Sequence, residues 1–308
     1  MAAAGESARG ATLVVTLEPC THQGKQPPCT EAILRAGVRR VVAALADPNP
    51  AAAGGAQMLA SHSVSVELGL LGEEAAGQNA IFLHRLSNPT RPFVALKLAT
   101  SVDARIADPA GRSRWISGPE AQDFVHWLRA GFDAIGIGGY TARTDDASLT
   151  VRGPLQPAQP PRRVVFDRQA DLPGSLTLVR TARATPTVLV AGPAAPTIRV
   201  RTLEEAGVTV HRAATLTQGL ELLRAAGIAS LLIEGGGRLA GGLLAEDLVD
   251  RFYWIQSALW LGDAGIPAFS GVPDRGLVEL ERWRVRERRA LGEDTLLVMD
   301  RRECLPGS

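Results

Sequence analysis

The chain has 308 residues, which corresponds to about two domains of roughly 150 residues each. Its 33 basic and 32 acidic side chains leave a net charge of +1, which counts against a dedicated nucleic-acid binder because such proteins usually carry a basic excess. Hydrophobic residues make up 45% and charged residues 21%, a composition that provides a packed core and differs from that of disordered chains.

No apolar run reaches the roughly 18 residues of a membrane span, and residues 1–10 are small and polar, without an apolar signal segment. The three cysteines, Cys20, Cys29 and Cys304, are too few and too unevenly spaced for a disulfide framework, and Cys304 is expected to be a free thiol. We therefore predict a soluble, cytoplasmic α/β protein that binds neither nucleic acid nor membranes.

The first 87 residues alternate between strand and helix patterns. Residues 11–17 form a continuous β-branched apolar run, typical of a strand buried on both faces of a parallel sheet. The pattern continues as a β-α-β-α-β-α unit, with helices over 30–36 and 72–86 and strands over 40–45 and 64–68. A Pro-rich stretch over residues 88–92 then indicates a linker.

The alternation resumes after the linker. Strands are predicted over 93–99, 134–138, 163–167, 187–191, 208–211 and 230–234, and helices over 119–130, 216–226 and 239–248. Residues 153–161 carry four prolines and predict a surface loop. Three further runs, 251–260, 282–288 and 295–300, have no helix between them, which predicts antiparallel strands added to one edge.

Two cysteines nine residues apart flank the first predicted turn. Cys20 follows a buried strand and Cys29 precedes a helix, whose N-terminus stabilises a thiolate. Two converging thiolates can hold a zinc ion when one more protein ligand and a water complete the tetrahedron. The same spacing is equally compatible with two buried, reduced cysteines.

The sequence of this segment, Glu-Pro-Cys-Thr-His-x-Gly-Lys-x-Pro-Pro-Cys, resembles the zinc segment of the bifunctional riboflavin-biosynthesis deaminase–reductases, the RibD family. The resemblance implies a cytidine-deaminase-like domain over residues 1–88, with Cys20 and Cys29 as zinc ligands. It also implies that His22, Gly24 and Lys25 lie around the deaminase substrate.

The deaminase pattern is incomplete in this chain. Zinc nucleobase deaminases need an upstream His-x-Glu, whose His is the third zinc ligand and whose Glu moves protons. No histidine precedes His22, and neither Glu6 nor Glu18 lies two residues after a histidine. Either the start is assigned too late or the domain lacks its first part. We expect no deaminase activity from the 308-residue chain, and we favour substrate contact over zinc ligation for His22.

The second half contains two patterns that suit ligand chemistry. Lys97 lies inside an apolar strand, where an ammonium is costly unless it finds a partner, faces a cleft or extends to the surface. Residues 231–240 form a buried strand, a triple-glycine turn and a helix start, an arrangement that favours phosphate. The spacing is not G-x-G-x-x-G, so a standard dinucleotide fingerprint is not supported.

Four segments in order, Leu-Lys-Leu, Ser-x-Trp-Ile-Ser, Thr-x-x-x-Asp-Asp-x-x-Leu-Thr-Val-Arg and Ile-Glu-Gly-Gly, resemble the reductase domain of the same family. The resemblance implies a dihydrofolate-reductase-like domain over residues 92–302. It further implies NADPH-dependent reduction of the ribosyl group of 5-amino-6-(5-phosphoribosylamino)uracil, a phosphorylated pyrimidine, to the ribityl form. A homo-oligomer is also expected from the resemblance.

The family's site residues carry over onto named positions. The implied NADPH contacts are Ala99, Trp115, Thr141, Asp145, Arg168, Gly236, Gly237, Arg238, Leu239, Ala240, Gly241 and Gly242. The implied substrate contacts are Ser113, Arg129, Leu149, Arg152 and Glu234.

Each polar group in this set has a chemical role that suits it. Arg129 and Arg152 can grip the substrate phosphate as guanidinium forks, and Glu234 can bind polar groups of the sugar or pyrimidine. Lys97 is our candidate catalytic residue, as proton donor to the sugar oxygen or as an orienting group. Ala104 and Ala147 stand where the family usually has Gly and Pro, which bears on local geometry more than on activity.

Two other functions stay open at this point. One is a stand-alone dihydrofolate-reductase-like enzyme that acts on another pterin or pyrimidine, although paired arginines favour a phosphorylated sugar. The other is a non-catalytic protein that keeps the fold and binds a nucleotide.

Overall fold

A computed structural model describes residues 2–24, 26–273 and 283–301. Lys25, Cys304 and the beginning of the strand predicted over 282–288 lie outside the described residues. The chain divides into two units, the first ending at Ser87 and the second beginning at Asn88.

The first unit is built on a parallel sheet. A 3-10 helix over Ala2–Ala8 precedes the strands β1 (Thr12–Leu17), β2 (Arg40–Leu45) and β3 (Ser65–Leu68), which pair in parallel in the order β1-β2-β3. The helices are α1 (Cys29–Ala36), α2 (Gly55–Ser61), α3 (Gly72–Gln78) and α4 (Ala80–Ser87). The core forms around Ile33, Val41 and Leu59. The predicted parallel β-α-β alternation is confirmed.

Two predictions for this unit are wrong. The strand β1 is not buried on both faces: its residues alternate between exposed and half-buried, and Val14 is 69% exposed. Leu13 and Val15 pack against the core, whereas Val14 points to the opposite face of the sheet, because successive side chains of a strand alternate between the two faces. The helix predicted over 72–86 is two helices, since Asn79 ends α3 and its side-chain amide donates to the Ala75 carbonyl at 2.8 Å.

The second unit is built on a nine-stranded sheet. Its strands are β4 (Phe93–Thr100), β6 (Ala134–Gly138), β7 (Arg162–Phe166), β8 (Thr187–Ala191), β9 (Thr209–Arg212), β10 (Ser230–Glu234), β11 (Arg251–Gln256), β13 (Trp283–Leu291) and β14 (Asp294–Arg301). Their order is β13-β14-β11-β4-β10-β6-β7-β8-β9, and β5 (Arg105–Ala107) pairs separately with β12 (Ile266–Pro267). Apolar clusters containing Leu96 and Ile233, and Ile137 and Leu189, form its core.

Six helices accompany this sheet in the described part of the second unit: α5 (Pro119–Ala130), α6 (Gly139–Asp145), α7 (Thr177–Arg180), α8 (Thr197–Glu205), α9 (Leu216–Ala225) and α10 (Gly237–Ala245). Sequence patterns predict α5, α9 and α10 but not α6, α7 and α8. The helix α6 begins with glycine and contains threonine and aspartate, which are weak helix formers, so its sequence carries no helix pattern. Among the described helices, none combines the length and apolarity needed to cross a membrane.

The edge of the large sheet differs from the prediction. The strand β11 pairs in parallel with β4, whereas β14 is antiparallel to both β11 and β13. The reason is topological: α10 lies between β10 and β11, and such a crossover connection returns the chain in the parallel direction. Only the last two strands of the chain therefore fit the predicted antiparallel addition.

Candidate active site

A cleft of about 1850 Å³ opens in the second unit where five parallel strands end. Ala99, Gly138, Phe166, Ala191 and Glu234 all line it, and each lies at or next to the carboxyl end of its strand. In open α/β sheets, ligands bind outside the carboxyl ends of the strands. The topology thus places this cleft where a small-molecule site is expected.

Most of the site residues predicted for the second unit line this cleft. They are Lys97, Ala99, Ser113, Trp115, Arg129, Thr141, Asp145, Leu149, Arg152, Arg168, Glu234, Gly236, Gly237, Arg238, Leu239 and Gly242. Ala240 and Gly241 do not line it. The period of α10 turns Ala240 into the apolar core and Gly241 against the backbone of Ser270.

The glycine turn after β10 has a backbone that only glycine adopts readily. Gly235 and Gly236 have φ values of +71° and +84°, and α10 begins at Gly237. A Cβ on Gly236 would lie 3.0 Å from Thr141 Oγ1, and a Cβ on Gly237 would lie 2.7 Å from the Pro267 carbonyl oxygen. The turn therefore brings unhindered backbone and the N-terminus of a nine-residue helix to the cleft, which suits the phosphates of a nucleotide.

Three charged side chains meet next to this turn. Lys97 on β4 is in register with Glu234 on β10. Arg129 on α5 donates from Nε and Nη2 to the two Glu234 oxygens, both at 2.7 Å, and from Nη1 to the Thr150 carbonyl at 2.9 Å. The fork that we predicted to grip phosphate is thus directed at a carboxylate, because the strand places Glu234 within its reach.

Electrostatics set the charge states of this cluster. Burial lowers the pKa of Lys97, and the neighbouring Arg129 adds to this effect, while Glu234 and Asp294 oppose it. Burial would raise the pKa of Glu234, but Arg129 and Lys97 together hold it below its usual range. Both shifts act on the charge states: Glu234 favours its carboxylate form, and Lys97 releases its proton more readily than an exposed lysine does.

A second acidic group lies on the other side of the cleft. Asp145 ends α6, and its backbone carbonyl accepts a hydrogen bond from Arg114 Nη2 at 2.7 Å. Burial raises the pKa of the Asp145 carboxyl, and Arg114 partly offsets this. Arg168 is exposed beside Asp167, which is itself paired with Arg143. This end of the cleft therefore offers exposed cationic and weakly acidic groups.

Sequence reasoning missed two polar residues of this region. His126 lines the cleft one helical turn before Arg129, and its Nδ1 accepts the backbone N–H of Arg152 at 3.1 Å. Asp294 is buried and accepts the backbone N–H of Gly118, just before α5, at 2.7 Å. The spacing of His126 and Arg129 on a predicted helix was a usable signal for the histidine, since such residues share a face. No such signal existed for Asp294, because only the β13–β14 hairpin brings it to Gly118, 176 positions away in the chain.

The cysteine pair lies in the first unit. The Sγ atoms of Cys20 and Cys29 are 3.4 Å apart, and the Cys29 N–H points at Cys20 Sγ at 3.5 Å. Burial and the Cys20 thiol raise the pKa of Cys29, against the expectation of a thiolate at the helix N-terminus. Among the residues described by the structure, no group of three or more His, Cys, Asp or Glu side chains is placed to hold a metal ion. The described residues thus do not fit zinc, and we derive no deaminase step from them.

Glu18 has a structural position in the same unit. Its carboxylate is buried and accepts backbone N–H groups from Asp47 at 3.0 Å and Ala56 at 2.8 Å. These hydrogen bonds satisfy the buried carboxylate and tie the segment after β1 to the loop after β2 and to the start of α2.

Comparison with known proteins decides the family. Residues 92–297 match the family model described as the RibD C-terminal domain. The riboflavin biosynthesis protein RibD of Aquifex aeolicus is 35% identical over 97% of this chain and 83% of its own length. The chain belongs to the RibD family. The predicted dihydrofolate-reductase-like character of its second unit is confirmed, whereas the deaminase-like character of the first stays a prediction.

Solved structures agree with the RibD assignment. The RibD of Acinetobacter baumannii is 33% identical, covers 97% of this chain and 83% of its own, and superposes with a TM-score of 0.78. A Thermotoga maritima protein described as a diaminohydroxyphosphoribosylaminopyrimidine deaminase/5-amino-6-(5-phosphoribosylamino)uracil reductase is 30% identical. It covers 95% of this chain and 80% of its own, with a TM-score of 0.77.

Proposed function

We propose that the second unit reduces the ribosyl group of 5-amino-6-(5-phosphoribosylamino)uracil to the ribityl form with NADPH, a step of riboflavin biosynthesis. The observation that carries the proposal is the joining of two features in one cleft: the phosphate-favouring glycine turn and the cluster of Lys97, Glu234 and Arg129. A site for a nucleotide thus lies beside a site for polar chemistry.

The residues around the glycine turn fit NADPH. Gly236 and Gly237 let the turn pack closely against Thr141 and the Pro267 carbonyl, and the start of α10 offers backbone N–H groups and the positive end of a helix dipole. Thr141, Asp145, Trp115 and Arg168 line the same cleft and would hold the rest of the cofactor. When bound, NADPH supplies the hydride.

The opposite wall suits the phosphorylated sugar. Arg152 is exposed, lines the cleft and is oriented by a hydrogen bond from Nη2 to Ser148 Oγ at 3.0 Å. Its remaining guanidinium donors can bind the substrate phosphate. Glu234 accepts two bonds from Arg129, and a carboxylate has about four acceptor sites, which leaves capacity for sugar or pyrimidine donors.

Lys97 is the proton donor in this proposal. When C1 of the sugar accepts the hydride, the bond from C1 to the ring oxygen breaks, and the oxygen that leaves takes the proton from Lys97 Nζ. Burial lowers the pKa of Lys97, which makes this transfer easier, and the carboxylate of Glu234 opposes that shift and favours the protonated amine. Water restores the proton after product release.

The experiment is a steady-state assay of NADPH oxidation by the purified chain with the phosphoribosylaminouracil. Dihydrofolate serves as the competing substrate class. We expect NADPH oxidation with the phosphoribosylaminouracil and none with dihydrofolate. Oxidation with dihydrofolate but not with the uracil would assign the fold to another substrate, and oxidation with neither would contradict a reductase function.

A further inference from the structure

Two side chains of α5 fasten the same extended segment at the cleft. His126 accepts the Arg152 N–H through Nδ1 at 3.1 Å, and Arg129 donates from Nη1 to the Thr150 carbonyl at 2.9 Å. His126 and Arg129 are three residues apart on the helix, so they share one face. Thr150 and Arg152 are two residues apart on a segment without regular secondary structure. The helix therefore replaces the backbone hydrogen bonds that a strand partner would provide.

The hydrogen bond to Arg152 fixes the protonation of the imidazole. A backbone N–H only donates, so Nδ1 of His126 must be the acceptor. The ring is then neutral, with its proton on Nε2. Its surroundings favour this form: burial lowers the pKa of His126, and the cations Arg129 and Arg152 add to this effect, while Glu234 and Asp123 oppose it. A neutral acceptor in this position holds Arg152 without adding a competing charge.

We propose that His126 is a positioning residue for phosphate recognition: it holds the backbone of Arg152 so that the Arg152 guanidinium meets the phosphate of the substrate. The guanidinium is held independently by Ser148 Oγ, so the backbone and the side chain of Arg152 each have one anchor. This inference rests on the proposed function for the identity of the substrate.

The first test separates KM from kcat. His126→Phe keeps the ring shape but removes Nδ1, whereas His126→Asn places an amide oxygen near the former Nδ1 position. We expect His126→Phe to raise KM for the phosphorylated substrate about three- to tenfold, the effect of one lost hydrogen bond, with kcat and the KM for NADPH within about twofold. His126→Asn should recover most of this loss.

The matched control is His62→Phe, which removes an imidazole whose Nδ1 lies 2.9 Å from the Met58 carbonyl in the first unit. It should leave all kinetic constants unchanged. Thermal unfolding followed by circular dichroism checks that each variant is folded. Equal KM values for wild type and His126→Phe, or an asparagine variant no better than the phenylalanine variant, would overturn the inference.

Binding of ribose 5-phosphate, measured by titration calorimetry, keeps the test independent of turnover. We expect wild type to bind it, His126→Phe to bind three- to tenfold more weakly, and binding of unphosphorylated ribose to be unaffected by the change. If wild type binds ribose 5-phosphate in this His126-dependent way but reduces no uracil substrate, the proposed function fails and the role of His126 is supported. If wild type does not bind ribose 5-phosphate, or if wild type and His126→Phe bind it equally well, the role of His126 is overturned.

Discussion

Among the residues that line the cleft, Lys97 is the one whose position most strongly limits the chemistry. It lies on a buried parallel strand between apolar neighbours, and Glu234 on the adjacent strand offsets the cost of its charge. Sequence reasoning identified Lys97 because a lone lysine in an apolar run is unusual. It did not identify the pairing of Arg129 with Glu234, because residues 105 positions apart reveal their contact only when the fold is known.

We predict that Lys97→Met lowers kcat about 100-fold or more, because a positioned proton donor contributes a factor of this order. Wild-type activity should fall on the alkaline side, with an inflection below the ordinary lysine pKa since burial lowers that of Lys97, and the variant should lack this limb. Leu96→Met, a volume-conserving change on the same strand, is the control. Unchanged turnover in Lys97→Met would remove the assigned role.

We predict that Arg129→Met destabilises the protein by about 3 kcal/mol, because it removes the guanidinium that is paired with Glu234, whose side chain is only 12% exposed. Arg112→Met breaks an ion pair of the same 2.7 Å length, but Arg112 is 81% exposed, so its cost should stay under about 1 kcal/mol. The double variant Arg129→Met/Glu234→Leu should regain only part of the loss, because it also removes the carboxylate that offsets the charge of Lys97. Urea unfolding measures all three, and equal losses for Arg129→Met and Arg112→Met would contradict the account.

At the scale of secondary-structure elements, the strands were predictable and several helices were not. The buried strands β6, β8 and β10 are short apolar runs, and parallel sheets demand such runs on every strand. The helices α6 and α8 bury only two residues each, so their sequences lack a wide apolar stripe. The carried-over positions Ala240 and Gly241 do not line the cleft, because a continuous stretch of helix presents its residues to several sides, and their contact with the cofactor stays a prediction.

The packing of α10 gives a test at this scale. A Cβ on Gly241 would lie 1.9 Å from the Ser270 carbonyl oxygen, which is backbone, whereas a Cβ on Gly242 would lie 3.1 Å from the flexible Leu216 side chain. We predict that Gly241→Ala costs about 1–3 kcal/mol through overpacking, while Gly242→Ala stays within about 1 kcal/mol of wild type. Chemical denaturation compares them, and equal stabilities would show that Gly241 is not closely packed.

At the scale of the whole molecule, each unit has its own sheet and its own apolar core. The phosphate-favouring turn, the buried charge cluster and the exposed Arg152 all lie in the second unit. The cysteine pair lies in the first, where the described residues supply no third metal ligand. The proposed reduction therefore uses residues of the second unit alone. The expected homo-oligomer stays a prediction, which light scattering of the purified chain would test.

The measurement that tests the central claim most directly is the mass of the product formed from 5-amino-6-(5-phosphoribosylamino)uracil and NADPH by the purified chain. We predict a product heavier than the substrate by two hydrogen atoms, one delivered as hydride and one as a proton, and formation of this product at about a hundredth of the rate or less in Lys97→Met. An unchanged substrate mass in the presence of folded protein and NADPH would contradict the assignment of this cleft as a pyrimidine reductase site.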